Sequence, residues 1–272
     1  MGPNMPRFDL ASIVRRAKPN ARRKAIVLRD IAPPATMATN LYRSTYARVI
    51  AAWSDALPRI NAAYAQSLSE LTQDSPADVR AEIDGAAEAI NRLILILTPQ
   101  VRDWALQVER WYRGKWRGAV LSATGVDLQT MLGPEDVRAS LETTIEWNTA
   151  LIKDVSAQTQ QRIGNSVFDG LRNRTPSREV AKSISEATGM ARTRSQRIAS
   201  DQLNKLTSSL AEERRREAGI DEYQWVWSRK KHGRAEHIAR DGKEYSDANP
   251  PPEPAGSLPF CGCRTRAIIR FD

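Results

Sequence analysis

The sequence predicts a mainly α protein, in which long helices are followed by a small C-terminal α+β module with a short β-sheet. Three observations predict it. Apolar residues recur at spacings of three and four from Thr36 to Ala218. Tyr223, Trp225 and Trp227 then alternate with Gln224, Val226 and Ser228, the period of a strand with one aromatic face. Beyond that point lies every histidine and cysteine of the chain: His232, His237, Cys261 and Cys263. The expected organisation is a basic N-terminal arm (1–35), a helical region (36–130), a second helical part (131–220) and the small β-containing module (221–272).

The arm carries Arg7, Arg15, Arg16, Lys18, Arg22, Arg23, Lys24 and Arg29 against only Asp9 and Asp30. Arg15, Arg16, Lys18, Arg22, Arg23 and Lys24 are its candidate nucleic-acid-binding residues, able to neutralise phosphates without reading sequence. An acidic protein surface, or no partner at all, are the alternatives for such an arm.

From Thr36 to about Leu71 the stripe is Tyr42, Tyr46, Ile50, Trp53 and Leu57, with Pro58 expected to kink or break the helix. Ser75-Pro76 is an N-cap with a first-turn proline, opening a helix to about Leu97, and Thr98-Pro99 repeats the device. The next helix, to about Val120, places Trp104, Val108 and Trp111 on one stripe beside Arg102, Arg110, Arg113, Lys115 and Arg117. Interleaved aromatic and basic residues can stack on bases, but tryptophan at helical spacing reads first as core or interface. Gly125 to Gly133 is a connection, and Gly133-Pro134 opens what reads as the longest helix, with Val137, Leu141, Ile145, Ile152, Val155, Ile163 and Val167 inward and Gly170 at its end or interruption. Thr175-Pro176 caps a short helix to about Gly189, with Val180, Ile184 and Ala187 on its apolar face. A further helix over 191–218 turns Ala199, Leu203, Leu206 and Leu210 inward. Its last turn carries Arg214, Arg215 and Arg216, which suit the negative end of the helix dipole, and Gly219 suits the C′ position.

In the last module, Lys243 to Tyr245 and Thr265 to Phe271 are further strand candidates. Four soft ligand side chains crowded into one stretch point to a bound zinc, with His232, His237, Cys261 and Cys263 as candidate ligands. The pattern is H-x4-H, a loop rich in Pro and Gly, then C-x-C, tighter than the usual C-x2-C. A Cys261–Cys263 disulfide, strained by its single intervening residue, and a free cysteine pair with two solvated histidines are the competing readings. A metal joining these segments would stabilise a sheet too small to stand alone.

Composition narrows the classes. Lys and Arg number 41 against 32 Asp and Glu, a formal charge of +9 that suits a polyanionic partner or simply a soluble basic protein. Two cysteines in 272 residues argue against a disulfide scaffold and for a reducing compartment. The longest apolar run, Leu93 to Leu97, is far short of a membrane span. The amino terminus lacks a signal-peptide core, and Pro6 stands where a myristoylation signal needs Ser or Thr. No membrane partner is expected.

An ordered set of segments carries a family resemblance: Arg197 to Leu203, Arg216 to Ile220, Tyr223-Gln224-Trp225, Arg234 to His237, Asp241-Gly242-Lys243, the loop with Pro254 to Gly256, and Cys261-Gly262-Cys263-Arg264. From the Glu135 region onward the chain resembles the phage Mu F-like minor head proteins, the head morphogenesis proteins of tailed phages. The resemblance implies a structural protein of the virion, inside the head and present in host cytoplasm during assembly. The partners it implies are the portal protein, other head proteins and phage double-stranded DNA.

An enzyme is not expected. Glu236, Asp241, Glu244 and Asp247 do not converge as a hard-metal cluster, and the chain has no phosphate-cradling glycine loop and no nucleophile elbow. The alternatives from other classes are a sequence-independent DNA-binding protein and a metal-dependent nuclease.

Overall fold

The computed structural model describes residues 7–17, 23–70, 75–133 and 137–271; Lys18, Arg22 and Pro134 lie outside them. The elements run α1 (Leu10–Ala17), β1 (Ala25–Val27), α2 (Ala35–Leu41), a π-helical turn (Tyr42–Tyr46), α3 (Ala47–Glu70), α4 (Ser75–Thr124), α5 (Arg138–Asn173), α6 (Ser177–Glu217), β2 (Glu222–Val226), α7 (Ala235–Ala239), β3 (Glu244–Ser246) and β4 (Arg264–Arg270). The protein is mainly α with a small C-terminal sheet, as its sequence predicts. Among the described residues no helix is long and apolar enough to cross a membrane.

The chain divides into two compact units, and α4, α5 and α6 each contribute a segment to both. One unit comprises Ala38–Trp104 and Ile145–Ala199. Its core holds Trp53, Ile60, Tyr64, Ile94, Leu97, Val101, Ile152, Val155, Ile163, Val167, Val180 and Ile184, all buried. Trp53 Nε1 donates to Ser156 Oγ at 3.0 Å, and the Tyr64 hydroxyl donates to the Thr175 carbonyl at 2.6 Å.

Neither proline expected to interrupt a helix here ends one. Pro58 sits inside α3 and Pro99 inside α4, which runs unbroken for 50 residues and is longer than α5. Pro99 withholds an N–H from the Leu95 carbonyl, but Leu95 and Ile96 lie exposed, where water can supply the missing bond. The buried stripe Ile94, Leu97, Val101, Trp104 passes straight through the proline, so burial on both sides outweighs one lost hydrogen bond. Gly189 likewise lies within a continuous α6, flanked by buried Ala187 and Ala191.

Gly170 is helical too, and its role is close approach. A Cβ there would lie 2.7 Å from Val180 Cγ2 and 2.9 Å from the Tyr64 hydroxyl. Helix α5 ends three residues later, where Arg174 turns left-handed (φ 51°) and the Thr175 N–H donates to the Gly170 carbonyl at 2.9 Å.

The other unit comprises Met1–Met37, Ala105–Thr144 and Ser200–Asp272. Its sheet has the order β1-β4-β2-β3, antiparallel throughout, with Trp225 opposite Thr265 and Tyr223 opposite both Ala267 and Tyr245. Strands β2, β3 and β4 fall where the sequence puts them. Strand β1 does not: Ala25, Ile26 and Val27 pair with Arg270, Ile269 and Ile268 at one edge. The basic N-terminal segment is therefore part of the C-terminal sheet. Leu10 and Val14 of α1 are buried, the N–H groups of Phe8 and Leu10 donate to the carbonyls of Glu217 and Ala218, and Arg264 pairs with Asp30 at 2.6 Å.

The arginine run ending α6 is also more than a dipole device. Arg214 is fully buried, held by Glu109 and Glu217, each at 2.8 Å, and by the Gly133 carbonyl. Arg215 donates to the carbonyls of Ile220 and Asp221, pairs with Asp247 at 2.6 Å and lies over the Tyr223 ring. Only Arg216 of the three is exposed. Gly219 takes the expected C′ place, with the Ile220 N–H donating to the Arg215 carbonyl at 3.0 Å. Tyr112 and Trp116 of this unit are buried and Trp111 partly so, as a core face requires.

Candidate metal centre

Strand β2 sets the site. Its alternation buries Tyr223 and Trp225, and the Trp225 backbone bonds to Lys243 and Gly242 on the far side of α7. The intervening segment is thereby folded back on the strand, which delivers His237 of α7 against the Trp225 face, ring centroids 5.2 Å apart in an edge-on arrangement. From the other direction a Pro-rich loop leads into β4 through Cys261-Gly262-Cys263. Gly262 keeps the turn between the cysteines tight, since a Cβ there would lie 2.9 Å from Lys230 Cε and 3.1 Å from Ser228 Cβ and would push the lysine side chain aside.

His237 Nδ1 is 3.4 Å from Cys261 Sγ and 3.7 Å from Cys263 Sγ. The three donor atoms lie within 4.8 Å of one another, and all three residues are at most 3% exposed. Both cysteines are free thiols, which removes the disulfide reading. The hydrogen bond from the Cys263 thiol, and after it those from the N–H groups of Cys263 and Gly256, hold the Cys261 thiol below its usual range. Cys263, donor of that bond, is pushed up by it and by burial, while the Ser228 N–H and hydroxyl act in the opposite direction. Backbone N–H groups aimed at sulfur stabilise thiolate, the form that binds metal.

The other face of the imidazole supports the same geometry. His237 Nε2 is buried without a hydrogen-bond partner, 3.9 Å from Glu253 Oε2. Glu253 is in turn held by Arg240 at 2.8 Å, and the Arg240 guanidinium lies over Trp225. That hydrogen bond with Arg240 holds the Glu253 carboxyl below its usual range. With Nδ1 toward the sulfurs, Nε2 is on the side of the Glu253 carboxylate, though at 3.9 Å the two are beyond direct hydrogen-bond distance.

One nitrogen and two sulfurs, converging in a dry site, fit a soft ion of the zinc class. Cys261, His237 and Glu253 also stand in the order of a thiol–imidazole–carboxylate line, but the second sulfur and the burial of all three donors do not suit a nucleophile that must meet a substrate.

His232 is not brought into the group; it is exposed in the loop before α7. Arg15 and Arg16 are exposed at the end of α1, and Arg23 and Lys24 are exposed just before β1. Glu253 is missed by the sequence reading, since nothing in a Pro-rich loop singles out one acid. Asp201 is missed as well: buried on α6, it accepts the Phe260 N–H at 2.6 Å, one residue before Cys261.

Residues 161–268 match the family described as Phage Mu protein F like protein. The match begins later than Glu135, in the second half of α5, and takes in all of α6, strands β2 and β3, and His237, Cys261 and Cys263. It supports the Mu F-like resemblance read from the sequence. Neither a curated protein nor a solved structure matches the chain. Within the Mu F-like region the donors sit where the sheet, α7 and the Pro-rich loop meet, while α1 and β1, which complete the same fold, lie outside the match.

Proposed function

We propose that this chain is a minor head protein of a tailed phage or prophage, acting in head assembly at the portal vertex and not as an enzyme. One observation carries the reading: the family match over 161–268 takes in helix α6 and the segments that supply the three converging donors. In this reading His237, Cys261 and Cys263 hold a zinc ion, whose part is to tie α7 to the entrance of β4. A sheet whose edge strands are three residues long gains stability from such a tie. Three protein donors leave zinc a fourth position to fill, and it is the burial of all three, at most 3% exposed, that keeps a substrate away and favours a structural ion.

The reading assigns the portal protein and other head proteins as partners, with phage DNA alongside, and places the chain in the virion. Sedimentation of a lysate tests it. The protein is expected to travel with heads and portal and to remain with them in washed particles. A chain found only in the soluble fraction would contradict the assignment.

A further inference from the structure

The loop 228–234, Ser-Arg-Lys-Lys-His-Gly-Arg, is left unexplained by the metal centre. Arg229, Lys230, Lys231, His232 and Arg234 are all exposed, and the loop contains no acid. A charge run of this kind is ordinarily a solvated, mobile face. Here the loop is tied at the residue before it and through two of its own side chains. The Trp227 N–H donates to Asp241 Oδ1 at 2.9 Å, Lys230 Nζ reaches the Phe260 carbonyl at 2.7 Å, and Arg234 reaches the Pro259 carbonyl at 3.2 Å. Gly233 is pressed against Trp227, with a Cβ at that position only 2.8 Å from Trp227 Nε1. The Arg229 guanidinium lies 5.7 Å above the Trp227 ring.

We propose that this loop is a contact for the phosphate backbone of double-stranded DNA. A row of cations already ordered by the fold loses little conformational entropy on binding. Asp241 approaches Arg229 only at 3.6 Å, with the Arg229 side chain 78% exposed, and Lys231 has no ion-pair partner among the described residues. Closely spaced charges on a fixed loop suit a partner that offers phosphates in a row and is held without reading its sequence. The proposal deepens the head-protein reading by naming where DNA is touched. Head association and DNA binding are separate measurements, so either can fail alone.

The test is salt-dependent binding of the full chain to a labelled duplex of mixed sequence, with Arg229→Gln/Lys231→Gln compared against Arg15→Gln/Arg16→Gln. Neither loop substitution removes a donor of the metal site, and unchanged circular dichroism confirms the fold. The loop variant is expected to flatten the slope of log K against log salt by roughly 0.9 for each phosphate it no longer neutralises, and Lys231→Glu alone to weaken binding. An unchanged slope in the loop variant, a wild type that does not bind duplex, or tighter binding to polyglutamate than to duplex would each overturn the proposal.

Discussion

The Asp201 carboxylate accepts the Phe260 N–H at 2.6 Å, and Phe260 is a non-glycine residue in the left-handed region, φ 60°. The second carboxylate oxygen is held by Lys205 at 2.9 Å, and Lys230 takes the Phe260 carbonyl at 2.7 Å. Helix α6 thus clamps the residue that precedes Cys261. Left-handed backbone at such a residue costs roughly 1–3 kcal/mol and persists only where its surroundings impose it. Asp201→Ala is therefore expected to weaken zinc binding about 10–100-fold, the usual effect of losing a group that orients a ligand. Adding Phe260→Gly, which takes the same conformation without strain, is expected to restore part of the loss. Competition titration with a metal-binding dye reads both, and an unchanged affinity in Asp201→Ala would contradict the clamp.

Two glycines within helices are expected to respond with opposite signs. At Gly170 a Cβ meets Val180 and Tyr64 at under 3 Å, so Gly170→Ala overpacks the unit and is expected to cost about 1–3 kcal/mol. At Gly189 nothing lies within 4 Å, so Gly189→Ala is expected to stabilise α6 by up to about 1 kcal/mol. Thermal melting of the two variants decides; melting points that move the same way would contradict the packing described for Gly170.

Glu109 and Arg214 are buried together, at 1% and 0% side-chain exposure. Removing one partner strands a charge, so Glu109→Leu is expected to cost about 3–5 kcal/mol. Urea denaturation measures it. A loss below about 1 kcal/mol would mean that Glu217 and the Gly133 carbonyl satisfy Arg214 without Glu109.

The N-terminal segment is expected to be structural. Deleting residues 1–30 strips β1 from β4 and leaves an unpaired strand edge bearing Ile268 and Ile269. The truncated chain is expected to melt lower and to aggregate; a truncation as stable and soluble as the full chain would show that β1 adds nothing.

Much of this architecture was legible in the sequence. The stripes from Val137 to Val167 and from Ala199 to Leu210 are buried as their spacing predicts, and the Trp225 strand lies within two residues of its expected place. What escaped are features decided at long range. Pro99 and Gly189 obey local breaking rules that continuous burial overrides, and β1 is three residues among basic neighbours, too short to show alternation. Arg214 looked like a solvated helix end because its partner Glu109 is 105 residues away. In the candidate site three of the four side chains read from the sequence converge, and His232 does not join them. His237 and His232 are indistinguishable by spacing, and only the return of the chain through Gly242 to Trp225 decides which one faces the sulfurs.

The most direct test of the C-terminal fold as a metal-held module is the metal content of the purified chain, by elemental analysis, for wild type and Cys261→Ser/Cys263→Ser. The expected result is about one zinc per chain at the three-donor site, retained in His232→Ala, and lost in the double variant together with thermal stability. A stably folded wild type without metal would contradict the site and leave His237, Cys261 and Cys263 as packing residues.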